Sequence, residues 1–365
     1  MRHDARDLDA LPPLVVLLAG ALLAGCGGGD ASPTPGATGT AGSPAVSATG
    51  SPEPTVGEGE FVNPVIEGNM PDPYVLDTGE LYYLYSTTDE IHHYPYATSD
   101  DLVTWERQKD AMPVAPVWSN GNYWAPEVME TSAGYVMYFT ARTAGLKQPN
   151  RPNDAQCVGV AVAQSPDGPF VDDRDEPLVC QPDLGGTIDA SVVRNVDDSL
   201  WLIYKNDGNC CGMATGFFMR QLAEDGLSFA GEEIEVEGVR NNAPWEGGVV
   251  EAPTIWFHDG TYYLFFSAND YASVHYAVGY ATSDVLTGPY VDAEENPILA
   301  TKEGLPTGFG PGHQTLIEDR DGDLWMVYHA WDDSFLGRQV WIDELVFEGG
   351  KPVVKGPDLE AQPKP

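Results

Sequence analysis

From Phe61 onward, the hydrophobic positions of the chain recur in short aromatic-rich runs that end in a small or polar residue. Five such runs are YYLYS from Tyr82, YVMYFT from Tyr135, WLIYK from Trp201, YYLFFS from Tyr262 and WMVYH from Trp325. If the last aromatic of each run is equivalent, the spacings are 54, 65, 62 and 62 residues between Tyr85, Phe139, Tyr204, Phe266 and Tyr328. A period of this length indicates a repeated supersecondary unit.

A turn sequence precedes each run, as expected for the second strand of a β-hairpin. The turn dipeptides are Thr78-Gly79, Ala133-Gly134, Asp197-Asp198, Asp259-Gly260 and Asp321-Gly322. A further strand-like segment follows in several repeats, for example Tyr96 to Ser99 and Tyr280 to Ser283. Five repeats of three or four strands predict an all-β fold, a five-bladed β-propeller that spans residues 61–360.

The first strand of each predicted hairpin begins with a chemically distinctive residue. In chain order these residues are Asp72, Trp124, Asp189, Glu251 and His313. Because the first strand of every propeller blade lines the central channel, we expect these five side chains to face one axial pocket. Three carboxylates in a low-dielectric pocket repel one another and shift each other's pKa values, which favours a catalytic role over a structural one.

Composition narrows the class of substrate. The 365 residues include 18 basic and 56 acidic side chains, for a formal net charge of −38. Binding to nucleic acid or to an anionic surface needs clustered Lys and Arg, so an uncharged substrate fits better. The 9 Trp, 17 Tyr and 12 Phe suit a β-rich protein that stacks sugars. The sequence contains no Gly-x-Ser-x-Gly elbow, phosphate loop or His-Glu-x-x-His zinc helix.

The N-terminal segment is typical of an exported protein. A short apolar stretch, residues 14–24, is followed by Gly25-Cys26, which resembles a bacterial lipobox. We therefore expect residues 1–26 to be a signal peptide that ends in a lipidated Cys26. Residues 27–60 are rich in Gly, Ser, Thr and Pro and predict a disordered linker. Together they predict an extracellular lipoprotein that is anchored to the outer face of the cytoplasmic membrane without spanning it.

Four further cysteines are candidates for disulfide bonds in an oxidising exterior. The favoured pair is Cys157 with Cys180. Adjacent Cys210 and Cys211 either bond to each other or pair elsewhere. A zinc site lacks the Cys-x-x-Cys or His-x-x-x-His spacing that such sites show.

The predicted pocket has the groups that hydrolysis of a glycoside requires. One carboxyl group protonates the leaving oxygen, and a second, ionised one activates water or attacks the anomeric carbon. A third carboxylate nearby raises the pKa of the acid and keeps it protonated closer to neutral pH. Trp124 offers a stacking face for a sugar ring. Lys205 and His329, at the ends of their aromatic runs, are interpreted as packing residues.

Several motifs carry a resemblance to a known family. Asp72-Pro73, Trp124-Ala125-Pro126 and Gly310-Pro311-Gly312-His313, with Arg338 late in the chain, resemble the family 43 glycoside hydrolases. These five-bladed propellers include β-xylosidases, α-L-arabinofuranosidases and arabinanases, and they invert the anomeric centre. The resemblance implies that Asp72 is the general base, Asp189 orients and tunes the acid, and Glu251 is the general acid. It also implies that Trp124, His313 and Arg338 contact the substrate.

The resemblance implies that no cofactor is required. It leaves open whether the central channel holds a calcium ion that His313 contacts through water. The expected function is a secreted, exo-acting inverting glycosidase on arabinose- or xylose-containing plant polysaccharides or oligosaccharides. We expect a monomer, with no nucleic acid as partner. The alternatives are an endo-arabinanase on the same site, a carbohydrate-binding propeller without catalysis, and a protein-interaction scaffold.

Overall fold

A computed structural model of the chain describes residues 56–89, 91–239 and 241–365. The predicted signal peptide, Cys26 and the linker up to residue 55 lie outside the described residues. In the described part, 21 strands form five sheets of three or four strands and one sheet of two strands. Five sheets in the predicted order confirm the β-propeller.

Each of the five larger sheets is one blade, and its strands follow chain order. Blade 1 contains β2 (Tyr74–Asp77), β3 (Tyr82–Tyr85), β4 (Pro95–Ser99) and β5 (Trp105–Asp110). Blade 2 contains β6 (Trp124–Thr131), β7 (Gly134–Lys147) and β8 (Asp154–Ala163). Blade 3 contains β9 (Thr187–Arg194), β10 (Leu200–Asn206), β11 (Phe217–Gln221) and β12 (Ile234–Glu235).

Blade 4 contains β13 (Val250–His258), β14 (Thr261–Ala268), β15 (Ala277–Ser283) and β16 (Val291–Asp292). Blade 5 contains β17 (Phe309–Glu318), β18 (Leu324–Trp331), β19 (Arg338–Glu348) and β20 (Lys351–Val354). Short 3₁₀ helices lie at Pro182–Leu184, Gly208–Cys211 and Pro244–Glu246. The first strands β2, β6, β9, β13 and β17 contact one another in sequence, and β17 contacts β2, so they form a ring around the axis.

Five hydrophobic clusters fill the five spaces between neighbouring blades. Successive residues of a second strand point to opposite faces, so each blade contributes side chains to the hydrophobic clusters on both of its sides. In blade 2, Tyr138 packs towards blade 3 and Phe139 towards blade 1. This burial on both faces explains why the runs are continuously apolar rather than alternating with polar residues.

The two ends of the described part of the chain meet and close the ring. Strand β1 (Glu60–Phe61) pairs with β21 (Gln362–Pro363). Asn63 reinforces the closure, because its side-chain amide accepts the N–H of Ile342 (3.0 Å) and donates to the Ile342 carbonyl (2.9 Å). No helix in the part of the chain that the structure describes is long and apolar enough to cross a membrane.

Candidate active site

Each blade has one residue with left-handed backbone geometry, which lies in the inner strand or, in blade 1, two residues before it. The five residues have φ between 43° and 56° and are Asp72, Ala125, Asp189, Ala252 and His313. In blades 2 to 5 the strand register shifts across this residue, as in a β-bulge. A bulge re-aims the neighbouring side chains, so it turns the start of each inner strand towards the axis.

Side chains from the preceding blade hold most of these bulges in place. The N–H of Ala125 donates to Thr87 Oγ1 (2.9 Å), that of His313 to Ser267 Oγ (2.7 Å) and that of Asp72 to His329 Nδ1 (3.1 Å). In blade 4 the N–H of Ala252 donates instead to Asp189 Oδ2 (3.1 Å). The bulge hydrogen bonds therefore join the blades at the level of the pocket.

The bulges correct two equivalences drawn from the repeats. Trp124 and Glu251 each lie one residue before the left-handed position, whereas Asp72, Asp189 and His313 occupy it. Tyr85 packs towards blade 2, while its four presumed counterparts pack towards the preceding blade. A bulge adds a residue to one strand only, so constant spacing does not give exact structural register.

One cavity of about 380 Å³ opens at the bulged end of the inner strands. The six residues predicted to form the site all line it: Asp72, Trp124, Asp189, Glu251, His313 and Arg338. The volume lies within the range of small-ligand pockets. The structure therefore brings the whole predicted set together on one axial pocket.

Asp72 is buried and surrounded by positive and donor groups. Its Oδ1 lies 2.8 Å from Arg338 Nη1 and 3.3 Å from His313 Nδ1, and its Oδ2 accepts the hydroxyl of Thr87 (2.6 Å). Burial alone would raise the pKa of Asp72, but the charge of Arg338, helped by His313, outweighs it. The pKa of Asp72 is held well below its usual range, so this carboxyl group is ionised and is suited to accept a proton.

Glu251 has different partners. Its Oε2 lies 2.8 Å from Lys205 Nζ, and its Oε1 accepts the hydroxyl of Tyr276 (2.8 Å). Burial would raise the pKa of Glu251, but the buried ammonium of Lys205 lowers it. These contacts fix both oxygens of the carboxyl group and leave it facing the cavity.

Asp189 and Asp207 complete the carboxyl cluster on this side of the pocket. Burial raises the pKa of Asp189, and the negative charge of Glu251 adds to the effect while His313 opposes it. Burial also raises the pKa of Asp207 to about 7, although Lys205 opposes it. Burial therefore favours the protonated forms of Asp189 and Asp207, whereas Lys205 favours the ionised form of Glu251.

Two residues were assigned the wrong role from the sequence. Lys205 and His329 are not packing residues, because Lys205 forms the ion pair with Glu251 and His329 accepts the N–H of Asp72. Burial, with the charge of Arg338, lowers the pKa of His329 to about 4, which keeps its ring neutral. Both follow the last aromatic of their runs, at the position where Ser267 also bonds to a bulge. The position after the last aromatic of a run is therefore the sequence signal that could have identified both residues.

Sequence reasoning also missed Tyr276 and Glu127. Tyr276 lies on the loop before β15 and gave no repeat signal. Glu127 lines the narrow channel below the pocket and accepts the N–H of Val192 (3.1 Å), while burial raises its pKa to about 8.

The four cysteines form two pairs in the structure. Cys157 is bonded to Cys180, with 4.8 Å between their Cα atoms. Cys210 is bonded to its neighbour Cys211, the vicinal alternative. Cys210 lies in the wall of the cavity, on the 3₁₀ helix Gly208–Cys211.

The described residues around the axis offer no ready-made cluster of side-chain ligands for calcium. Calcium takes six to eight oxygen ligands. In the described ranges, no three side chains of His, Cys, Asp or Glu are grouped so that they could hold a metal ion. The Nδ1 atom of His313 lies 3.3 Å from Asp72 Oδ1.

Comparison with known proteins agrees with this geometry. The model of the glycosyl hydrolases family 43 matches residues 61–352. The chain is 28% identical over 285 residues to β-D-galactofuranosidase xynD of Aspergillus niger, which covers 73% of this chain and 75% of that protein. It is 25% identical over 303 residues to extracellular endo-α-(1→5)-L-arabinanase 1 of Bacillus subtilis, which covers 77% and 86%.

Among solved structures, the crystal structure of a thermostable family-43 glycoside hydrolase superimposes with a TM-score of 0.74 at 30% identity. The match covers 84% of this chain and 99% of that one. The family model spans far more than half of the sequence, and the structural match covers the whole propeller. The chain therefore belongs to family 43 of the glycosyl hydrolases and is a glycoside hydrolase.

Proposed function

We propose that this enzyme removes terminal α-L-arabinofuranosyl or β-D-xylosyl residues from plant polysaccharides or their oligosaccharides, with inversion at the anomeric carbon. The observation that carries the proposal is the ionised Asp72 on one side of a sugar-sized cavity, with Glu251 and Asp189 on other blades facing the same space. Two carboxyl groups in opposite protonation states are what a single displacement needs.

Asp72 is the general base in this mechanism. It takes a proton from a water molecule, whose oxygen attacks the anomeric carbon and forms the new C–O bond. Glu251 donates its proton to the glycosidic oxygen as the old C–O bond breaks, so the leaving group departs as an alcohol. The cycle ends when Asp72 loses its proton and Glu251 regains one from solvent.

Asp189 is the residue that tunes and orients the acid. Its Oδ2 accepts the N–H of Ala252, the residue after Glu251, which fixes the bulge that aims Glu251. Burial and the charge of Glu251 raise the pKa of Asp189, so the two carboxyl groups repel each other. A bound sugar also excludes water, which raises the pKa of Glu251 from its lowered value and prepares it to donate.

The shape of the cavity wall supports exo cleavage. Strands β7 and β8 continue past β6 as a hairpin, with Lys147 still paired to Asp154. Arg142, Arg151 and Asn153 from this hairpin line one side of the cavity. A tall wall on one side favours entry of a chain end over passage of an internal segment, which an endo-arabinanase would need.

A second candidate is a β-D-galactofuranosidase, which the similarity to the Aspergillus niger enzyme favours. α-L-Arabinofuranose and β-D-galactofuranose have the same ring configuration and differ in the exocyclic carbon chain. The same carboxyl groups therefore suit both sugars, and space beside the ring decides between them.

We also propose that the enzyme is exported, cleaved before Cys26 and tethered by a lipid on this cysteine. The lipobox-like Leu23-Ala24-Gly25-Cys26 and the Gly/Ser/Thr/Pro-rich residues 27–60 support this location. Growth with labelled palmitate tests it, because a Cys26→Ser variant would carry no label.

The direct test is release of nitrophenol from the α-L-arabinofuranoside, β-D-xylopyranoside and β-D-galactofuranoside, with linear arabinan as a fourth substrate. Full-length wild type is compared with Glu251→Gln and with Glu348→Gln, an exposed control at the end of β19. Turnover of one glycoside by wild type and by the control, but not by Glu251→Gln, supports the proposal. Activity on arabinan with no turnover of the glycosides would favour the endo alternative.

A further inference from the structure

One turn beside the cavity presents large apolar side chains to solvent. Residues 332–337 join β18 to β19, and in this turn Phe335 is 37% exposed and Leu336 is 83% exposed. On the neighbouring blade, Tyr271 is 48% exposed. Contiguous exposed apolar groups beside a pocket are typical of ligand-binding surfaces.

The turn is held in a fixed conformation. Asp332 Oδ1 accepts the N–H groups of Ser334 (3.0 Å) and Leu336 (3.1 Å), and the N–H of Asp332 donates to the carbonyl of Gly337 (2.9 Å). Phe335 has a φ of 55°, which is uncommon for a bulky side chain. The surrounding contacts thus hold an aromatic ring outward in a backbone conformation that it does not favour.

The exposed rings pack against one another. Phe335 stacks on Phe309, with centroids 5.5 Å apart and planes at 5°, and on Trp331, at 5.7 Å and 24°. Trp331 Nε1 donates to the carbonyl of Tyr271 (2.7 Å), which joins the two blades. We call Tyr271, Phe309, Trp331, Phe335 and Leu336 the aromatic rim. The stacked rings of Phe309, Phe335 and Trp331 form a rigid surface, which loses little conformational entropy when a ligand binds.

The aromatic rim is continuous with the active site. Tyr271 lines the cavity, and the Arg338 guanidinium lies 5.0 Å from the Tyr271 ring centroid and 5.7 Å from that of Trp331. The same guanidinium bonds to Asp72 at 2.8 Å. A sugar on the rim would therefore lie next to Arg338, at the edge of the pocket that holds the residue to be released.

We propose that the aromatic rim is a subsite that stacks a second, uncharged sugar residue of the substrate, adjacent to the residue that is released. This inference rests on the proposed function. The faces of a sugar ring carry C–H groups that pack on aromatic rings, while its hydroxyl groups point outward to water. A net charge of −38 disfavours a polyanion at this place, so a neutral sugar is the occupant that fits.

Binding to an inactive enzyme separates this inference from the activity. The experiment measures, by calorimetry in the full chain with Glu251→Gln, the affinity for the released monosaccharide and for its di- and trisaccharide. We expect the oligosaccharides to bind at least about tenfold more tightly than the monosaccharide. Phe335→Ala in this background should lower that affinity ratio about fivefold to tenfold, the usual effect of truncating an aromatic contact at a binding site.

Phe257→Ala is the matched control, because Phe257 is 43% exposed but lies near the far end of β13 and does not line the cavity. It should leave the affinity ratio unchanged. Leu336→Ser is a second rim variant for the case that Phe335→Ala fails to fold, and it should lower the ratio in the same direction.

Three results would overturn the subsite. One is an affinity ratio that stays the same in both rim variants. Another is an equal loss of affinity for monosaccharide and oligosaccharides, which would mean that the variants disturb Arg338. The third is self-association in sedimentation equilibrium that both rim variants abolish without a change in the ratio, because the rim would then bind a second copy. Failure of the proposed function has a different signature, the absence of hydrolysis by wild type.

Discussion

The two sides of the axial pocket hold their carboxyl groups in different arrangements of charge. On the side of blades 1 and 5, Asp72 faces Arg338 and His313 and is held well below its usual pKa. On the side of blades 3 and 4, burial raises the pKa of Asp189, and Glu251 shares its surroundings with one buried cation, Lys205. Both sides are equally buried, so the arrangement of charges, rather than burial, distinguishes them.

This difference means that, in the proposed mechanism, the protonation state of the base is fixed and that of the acid is adjustable. Asp72 has several partners that all favour its ionised form, so binding of a neutral sugar changes its protonation little. Glu251 is balanced between Lys205, which lowers its pKa, and burial, which raises it. Exclusion of water by the substrate can tip this balance towards protonation.

Removal of the base should have the largest effect. Asp72→Asn keeps the size of the side chain but cannot accept the proton, so kcat should fall by about 10³-fold. The measurement is steady-state hydrolysis of the preferred nitrophenyl glycoside. Asp259→Asn, at another left-handed aspartate that lies on the turn between β13 and β14, is the control and should retain wild-type kcat. A loss below about tenfold in Asp72→Asn would remove Asp72 from the role of base.

Replacement of Arg338, the partner of Asp72, should have the second-largest effect. Arg338→Gln removes the main positive charge beside Asp72, so burial then raises the pKa of Asp72. Because a base works only when ionised, the acidic limb of the kcat/KM profile should move to higher pH. The maximal kcat/KM should also fall about 30-fold through the lost charged hydrogen bond. An unchanged acidic limb would show that Arg338 does not set the charge of Asp72.

Replacement of Lys205 should shift the basic limb of the kcat/KM profile. Lys205→Met removes the cation that lowers the pKa of Glu251, so burial raises this pKa. Since a general acid works only when protonated, the basic limb of the kcat/KM profile should move to higher pH, while kcat falls about tenfold because Glu251 is less well oriented. A circular dichroism spectrum like that of wild type controls for folding. A shift of the basic limb to lower pH would contradict the assigned balance.

Tyr276→Phe should have the smallest effect. It deletes one hydrogen bond to Glu251 Oε1 and leaves Lys205 on Oε2. One hydrogen bond of about 1 kcal/mol corresponds to a roughly fivefold loss of kcat/KM. The basic limb should move slightly to higher pH, because the hydroxyl also stabilises the carboxylate. A loss as large as that of Asp72→Asn would mean that Tyr276 takes part in proton transfer itself.

The sequence predicted the fold and the members of the site because both depend on repeated local patterns. The aromatic runs and their turns define hairpins, and five hairpins at near-constant spacing leave few architectures besides a propeller. Asp72, Asp189, Glu251 and His313 were recognisable because each begins the inner strand of its blade. The propeller fold then brings these residues together independently of the loop conformations.

The exact register and the protonation partners could not be read from the sequence. The bulges at Ala125 and Ala252 shift Trp124 and Glu251 by one position, and alanine carries no signal for left-handed geometry. The partners Lys205, His329 and Tyr276 come from other strands or from loops, so their contacts depend on how neighbouring blades pack. The aromatic rim depends likewise on Trp331, at the end of β18, whose side chain donates to the carbonyl of Tyr271 in a loop of another blade.

The stereochemistry of the first product tests the central claim most directly. Hydrolysis of the preferred glycoside is followed by proton NMR from the first seconds, before mutarotation mixes the anomers. If Asp72 activates water while Glu251 protonates the leaving oxygen, the released sugar first appears with the anomeric configuration opposite to that of the substrate. A first product of retained configuration would require a covalent glycosyl-enzyme intermediate and would contradict the single displacement.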